Sequence, residues 1–325
     1  MPNANRRQTC AFEWVKSKDR QAWEEDFKRL PKSNIMQAPA YDLIAASSEK
    51  MRTRRAYIIL DGQKAGMFQI IENATLFGIF HVIALDRGPL WLEGFGGAAD
   101  LEIFFRTFNE LYPVRKGRKR RIMPEIEDGF AAQAIMKQLG LDKDKSFEPY
   151  QTLWLDLTQS EEELWNNLDG IWKNNIKRAR NKGIKIEYDT KGKYLSWMLR
   201  HYEREKTEKS YKGTSSNTVT ALFHAYKDND NFLIARAMMN GHPLGAINII
   251  THGTSATYQI ACRHLACPKT LSIHHYLLWE TIRYLKDKGI KSLDMGGTNQ
   301  HMPKGLVKFK NGSGGCNIRL IGHYT

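Results

Sequence analysis

The chain has 325 residues, enough for two domains that each bury a core. Hydrophobic residues make up 42% and charged residues 26%, which excludes a disordered chain. Lys and Arg number 49 against 35 Asp and Glu, a formal charge of +14 that favours polyanionic partners: nucleic acid, an anionic membrane surface or a phosphorylated metabolite.

The first ten residues, MPNANRRQTC, contain no apolar run resembling a signal peptide, and no stretch has the apolar length of a membrane span, so the chain reads as cytoplasmic. Tyr57 to Leu60, Asp61-Gly62 and Met67 to Ile71 read as a hairpin, because Asp-Gly supplies two residues that reach positive φ. A strand is predicted over 75–85. Gly94-Phe95-Gly96-Gly97 offers a weak phosphate-loop pattern ahead of an amphipathic helix from Asp100 to Tyr112. That helix places Leu101, Phe104, Phe105, Phe108 and Leu111 on one face. Arg115 to Arg121 carries six cations in seven residues, expected as an exposed loop leading into a strand at Arg121 to Met123. It suits RNA or anionic lipid headgroups, or is a solvated loop.

A second lobe is expected to begin near Tyr150. Ser160 to Glu163 fits a capping box, opening a helix that runs to about Lys182 with Leu164, Leu168, Ile171, Ile176 and Ala179 as its apolar stripe. Lys173, Lys177 and Arg180 share an outer face, with Arg178 and Lys182 as a second pair. Dipole matching accounts for part of this, phosphate contact for the rest.

Phe232 to Ala235, Asn240-Gly241 and Ala246 to Ile250 then repeat the first hairpin. The second glycine (Gly66, Gly245) and the terminal Ile-Ile recur at the same offset, which indicates duplication. A strand at 254–265, a helix from Thr270 to Lys288 and a strand at Ser292 to Met295 complete the parallel. The fold expected is α/β, two lobes with mixed sheets and a cleft between or within them: 1–149, completed by a C-terminal strand at 317–325, and 150–316. Cys262, His264, Cys267 and His274 have near-ligand spacing but span a strand, a turn and a helix, so no metal is expected. Cys316 and His323 lack an orienting acid for nucleophilic catalysis.

The densest run of unusual residues is Leu293 to Gly315. Asp294-x-Gly296-Gly297 followed by Phe309-Lys310 and Gly314-Gly315 resembles the C-terminal signature of the Fem family. The helix end Ile176 to Gly183 and Arg87-Gly88-Pro89-Leu90 are similar to that family too. The resemblance implies a tandem pair of GNAT-like lobes and an aminoacyltransferase that moves an amino acid from aminoacyl-tRNA to an amine of a peptidoglycan precursor or related small peptide. No cofactor is then needed, and peripheral contact with the inner membrane face is expected. It also implies Lys310 as the cation that supports the tRNA end or the oxyanion, and Tyr258 as a wall of the acceptor pocket. Asp294 either accepts a proton or caps the Gly-Gly turn.

Lys173, Lys177, Arg178, Tyr202, Lys209, Asn299 and Phe309 are the candidate substrate contacts, with Lys212 beside them. Leu43, after Gln37, stands where the family often has a basic acceptor-binding residue, which puts the usual phosphate contact in question. Residues 184–231 leave no room for the long helical hairpin of some members. The competing reading is an acyl-CoA N-acyltransferase, which needs a Gly-rich loop at a helix start. Arg263 to Thr270 has no glycine.

Overall fold

A computed structural model describes residues 9–45, 51–76, 79–210, 212–268, 270–299 and 302–325. The chain packs as two compact units, Met1–Tyr150 with Arg319–Thr325, and Gln151–Ile318.

The first unit contains β1 (Cys10–Trp14), α1 (Arg20–Phe27), α2 (Tyr41–Ala45), β2 (Arg52–Leu60), β3 (Gln63–Thr75), β4 (Phe80–Gly88) and β5 (Leu90–Trp91). It continues through α3 (Ala98–Leu111), β6 (Arg118–Pro124), α4 (Phe130–Gln138) and β7 (Lys143–Asp144). The second unit contains β8 (Gln151–Asp156), α5 (Glu161–Asn167), α6 (Gly170–Arg180), β9 (Lys185–Asp189), α7 (Leu195–Glu208) and α8 (Ser216–Tyr226). Then come β10 (Phe232–Met239), β11 (His242–His252), β12 (Ser255–Arg263), α9 (Ile273–Asp287), β13 (Ser292–Gly297), α10 (Lys304–Asn311) and β14 (Cys316–Arg319). The chain's last strand, β15 (His323–Tyr324), belongs to the first unit's sheet.

The first sheet runs β1-β2-β3-β4-β6-β15-β7, with β5 on β3; the second runs β14-β8-β13-β12-β11-β10-β9. Both are mixed: β4 and β6 are parallel, as are β12 and β13. The expected C-terminal strand 317–325 divides, with Cys316–Arg319 on the edge of the second sheet and His323–Tyr324 in the first.

The two hairpins repeat in detail. Asp61 and Gly62, and Asn240 and Gly241, all have positive φ (47°, 78°, 51° and 78°), the geometry that a two-residue turn between twisted strands demands. Each hairpin carries a bulge at the same place, after Ile58 and after Ala237, opposite the second glycine of the repeat. A Cβ on Gly66 would collide with the Leu90 carbonyl, and one on Gly245 would stand 2.7 Å from the Cys262 carbonyl. The repeated glycine therefore exists because a neighbouring backbone lies against it in both units.

On α3 the aromatic face packs on the sheet as its spacing predicts, with Phe104, Phe105 and Phe108 fully buried; Leu111, expected on that face, is exposed at the helix end. Three further expectations are corrected. The basic run is not one exposed loop, since Arg118 to Arg121 lie in β6. Arg120 is buried there, donating to Asn109 Oδ1 and the Tyr112 carbonyl, and Arg121 forms an ion pair with Asp86. The helix from Ser160 breaks at Leu168, where Asp169 caps a second helix by accepting from the Trp172 amide at 2.7 Å. Trp172 is buried in place of Ile171, which is half exposed. The expectation for 184–231 is not among those corrected: among the described residues of that region the α-helices are α7 and α8, of 14 and 11 residues.

Candidate active site

In the second unit β12 and β13 pair over only three residue pairs, Ser255–Thr257 with Ser292–Asp294, and then part. In the first unit the corresponding strands β4 and β6 stay paired over seven, from His81–Arg118 to Gly88–Pro124. The sheet therefore opens in the second unit only. Next to the parting, a register shift in β11–β12 falls between the Ile249–Tyr258 and Asn248–Ile260 pairs. Gln259 is left as the extra residue, and the strand bends beside Tyr258.

Lys310 fills this opening. It lies on α10, not on a solvated loop, and only 3% of it is exposed. Its Nζ donates to the Gly297 carbonyl on β13 at 2.8 Å and stands 6.0 Å from the centre of the Tyr258 ring on β12. Burial pushes the ammonium down to about 8, while the Asp294 charge pulls it back up. Asp294 is wholly buried; it accepts from the Thr152 hydroxyl and from the Gly296 amide at 2.8 Å. The carboxylate thus caps the Gly296-Gly297 turn and supplies the negative charge nearest the lysine. The geometry brings Lys310, Tyr258 and Asp294 together, a buried amine whose proton is readily lost beside an aromatic wall and a fixed charge.

The helix that carries Lys310 is held by its neighbour, Phe309. The Phe309 ring stacks on Trp172 at 4.9 Å between centroids and meets His275 edge-on, and Trp172 Nε1 donates to the Phe309 carbonyl. Phe309 therefore anchors α10 to α6 and α9. Gly312 permits this approach, because a Cβ there would lie 2.7 Å from the Trp172 ring. On the opposite face of α10 lies an open cavity of about 740 Å³, walled by Asp169, Thr298, Asn299, Met302, Val307 and Lys308. Asn299 also accepts from the Gln151 amide, so its side chain is fixed at the rim. Asp169 and Trp172 escaped the sequence reading; Asp169-Gly170 was the available signal, a helix cap followed by a turn residue.

The remaining candidates lie apart from the lysine. Lys173 Nζ donates to the Asn166 carbonyl, Arg178 reaches the Thr270 carbonyl at 3.4 Å, and Lys177 is exposed on the same helix. Tyr202 is buried in α7 with its hydroxyl on the Thr214 carbonyl, and Lys209 pairs with Glu205. Neither is among the residues that surround Lys310 or wall the cavity.

In the first unit, Gln37 is buried and donates its amide to the Gln69 and Asp86 carbonyls, a structural use, and Leu43 is exposed. Arg87 forms two hydrogen bonds with Glu125, at 2.6 and 2.8 Å. The amides of Gly96 and Gly97 both donate to Asp100 Oδ2 (2.9 and 3.2 Å), so the chain's own carboxylate occupies the seat a pyrophosphate would need. Among the described residues no group of three His, Cys, Asp or Glu stands close enough to hold a metal ion.

Two lobes, each with a glycine-turned hairpin, a parallel strand pair and a connecting helix, define a tandem GNAT-like protein. Residues 172–310 match the family model described as an acetyltransferase (GNAT) domain. Among solved structures, the crystal structure of FemX is similar with a TM-score of 0.78 at 14% identity, covering 98% of this chain and 96% of that one. L-PGS from Bacillus licheniformis is similar at 0.53 and 12%, covering 96% and 92%. A tandem GNAT protein from the clavulanic acid biosynthesis pathway is similar at 0.50 and 10%, covering 97% and 98%. No curated protein sequence matches. The fold is that of a Fem-like tandem GNAT protein.

Proposed function

We propose that this protein is an aminoacyltransferase that moves an amino acid from aminoacyl-tRNA to an amine of a peptidoglycan precursor or a related small peptide. The observation that carries this reading is the buried Lys310 in the parting of β12 and β13. The acceptor amine attacks the ester carbonyl, the C–N bond forms, and the carbonyl oxygen becomes an oxyanion. A lysine ammonium held in a site of low polarity stabilises that charge more strongly than water does. The intermediate then expels the ribose oxygen of the tRNA, which takes up the proton the amine gives off. Tyr258 walls the opening, and Asp294 positions the ammonium and favours its charged form. The exposed cations of α6, Lys177 and Arg178, with Lys308 at the cavity, suit the phosphates of an acceptor stem.

A second reading, an acyl-CoA N-acyltransferase, is favoured by the acetyltransferase domain match over residues 172–310. Against it stand the glycine-free loop from Arg263 to Thr270 and the occupied amides of Gly96 and Gly97. The test supplies the full chain with a labelled charged tRNA pool or, separately, labelled acetyl-CoA, each with peptidoglycan precursors and small amines. Transfer from tRNA that is lost in Lys310→Ala supports the proposal. Transfer from acetyl-CoA alone overturns it in favour of the second reading.

A further inference from the structure

The first unit carries an exposed apolar corner that the transfer chemistry does not use. Ile79 and His81, at the start of β4, lie beside the loop from α3 to β6 there. The His81 amide donates to the Gly117 carbonyl at 2.9 Å, and the Arg115 guanidinium donates to the Ile79 carbonyl at 3.2 Å. Across this junction Val114 is 74% exposed, Leu76 62%, Ile79 59% and Phe80 54%. Leu111 and Val82 extend the patch. Single exposed apolar residues are ordinary, but six large ones, three between elements (Leu76, Ile79, Val114) and three at the adjoining ends of α3 and β4 (Leu111, Phe80, Val82), mark an interaction surface.

The same corner is cationic. Arg115, Lys116 and Lys119 are exposed, and Lys119 pairs in register with Val82, so a cation and an apolar side chain sit side by side on one face of the sheet. Arg118 reaches back to the Pro113 carbonyl. No Asp or Glu occurs from Leu111 to Pro124. Glu72, the carboxylate on the adjoining strand, is buried against His81 and Arg54 and adds little negative charge at the surface.

We infer that this corner docks the protein peripherally on an anionic lipid surface. Aliphatic side chains enter the boundary between headgroups and acyl chains, while Lys and Arg around them meet the lipid phosphates. RNA would satisfy the cations but gain nothing from leucine, isoleucine and valine, since single-stranded platforms rest on aromatic stacking and Phe80 is the one aromatic among the six. A second copy of the chain would bring like charges face to face. Among the described residues no helix is long and apolar enough to cross a membrane, so docking of this kind is interfacial. The inference uses no residue of the second unit and stands whether or not the transfer reading holds.

The test is co-sedimentation of the full chain with vesicles of phosphatidylcholine alone or with about a third phosphatidylglycerol. Binding is expected to be at least about tenfold tighter to the anionic vesicles. The triple variant Leu76→Ser, Ile79→Ser, Val114→Ser should lose about tenfold or more on anionic vesicles with its melting temperature unchanged, because all three side chains already face water. Arg115→Gln with Lys116→Gln and Lys119→Gln should lose a similar factor. Val114→Ser alone carries the test if the triple variant misfolds. No vesicle binding, equal binding to both compositions, or wild-type binding by the apolar variant overturns the inference. So does finding that the apolar triple variant loses tRNA binding or self-association while keeping its affinity for vesicles.

Discussion

A lysine in a site of 3% exposure keeps its proton only against the cost of desolvation, and at Lys310 that cost outweighs the pull of Asp294. Its pKa falls from the ordinary 10.5 to about 8. Because the folded value lies below the unfolded one, the unfolded chain binds more protons between about 8 and 10.5, and stability rises with pH across that window. Below 8 both states hold the proton and the penalty, at most about 3 kcal/mol, is present in full. Lys310→Met should therefore melt higher than the wild type at pH 7, with the difference shrinking as pH approaches 10.5; thermal unfolding across pH measures it. A variant less stable than wild type by the same amount at every pH would show that the buried charge costs nothing. The same titration sets the rate profile. If the ammonium is the active form, transfer falls as pH rises through about 8. In Asp294→Asn the fall moves to lower pH, because the carboxylate that favours the proton is gone. A rate that rises through 8 would make Lys310 a base instead.

The lysine is placed by a relay of elements that begins at Asp169. Its side chain caps α6 at the Trp172 amide, its own amide donates to the Gly312 carbonyl, and Trp172 stacks on Phe309 next to the lysine. Asp169→Ala should cost about 1 kcal/mol, read as a lower urea midpoint at unchanged slope. Transfer should fall while the protein remains folded, because Trp172 and α10 lose their fixed seat. Unchanged transfer at reduced stability would confine Asp169 to capping. Lys310 and Asp294 stood out as candidates because one local string of residues carries both, whereas Tyr258 lies on a separate strand and was offered only by the family resemblance. The break at Asp169 was not, since Leu168 and Ile171 continue helical spacing and what stops the helix is a cap seated against Gly312, far along the chain. The Ser160 box was legible because both its partners lie within one turn. The basic run misled for the opposite reason. Charge density reads as a solvated loop, yet strand alternation turns Arg120 inward to Asn109 and Tyr112 on and just beyond the preceding helix.

Across the whole molecule, the duplication was visible because one glycine of each hairpin serves the turn, while a second glycine and a terminal Ile-Ile recur at the same offset. The parting of β12 and β13 was not, because both read as strands and their register depends on long-range pairing. The return of the chain to the first unit after β14 has a consequence of its own. Leu320, Ile321 and Tyr324 are buried there; the Leu320 and Ile321 amides donate to the carbonyls of Tyr150 and Ile126, and Tyr324 pairs with Ile122 on β6. Ile321 belongs to the core formed by Phe68, Phe104 and Phe108, although some 170 residues of the second unit precede it in sequence. Ile321→Ala leaves a cavity in that core and should cost about 2–5 kcal/mol. The loss should be confined: amides of β1 to β4 lose protection from hydrogen exchange, while those of β10 to β12 keep theirs. Equal loss in both sets would mean that the two units unfold as a single cooperative block, and that the core around Ile321 supports the second sheet as much as the first.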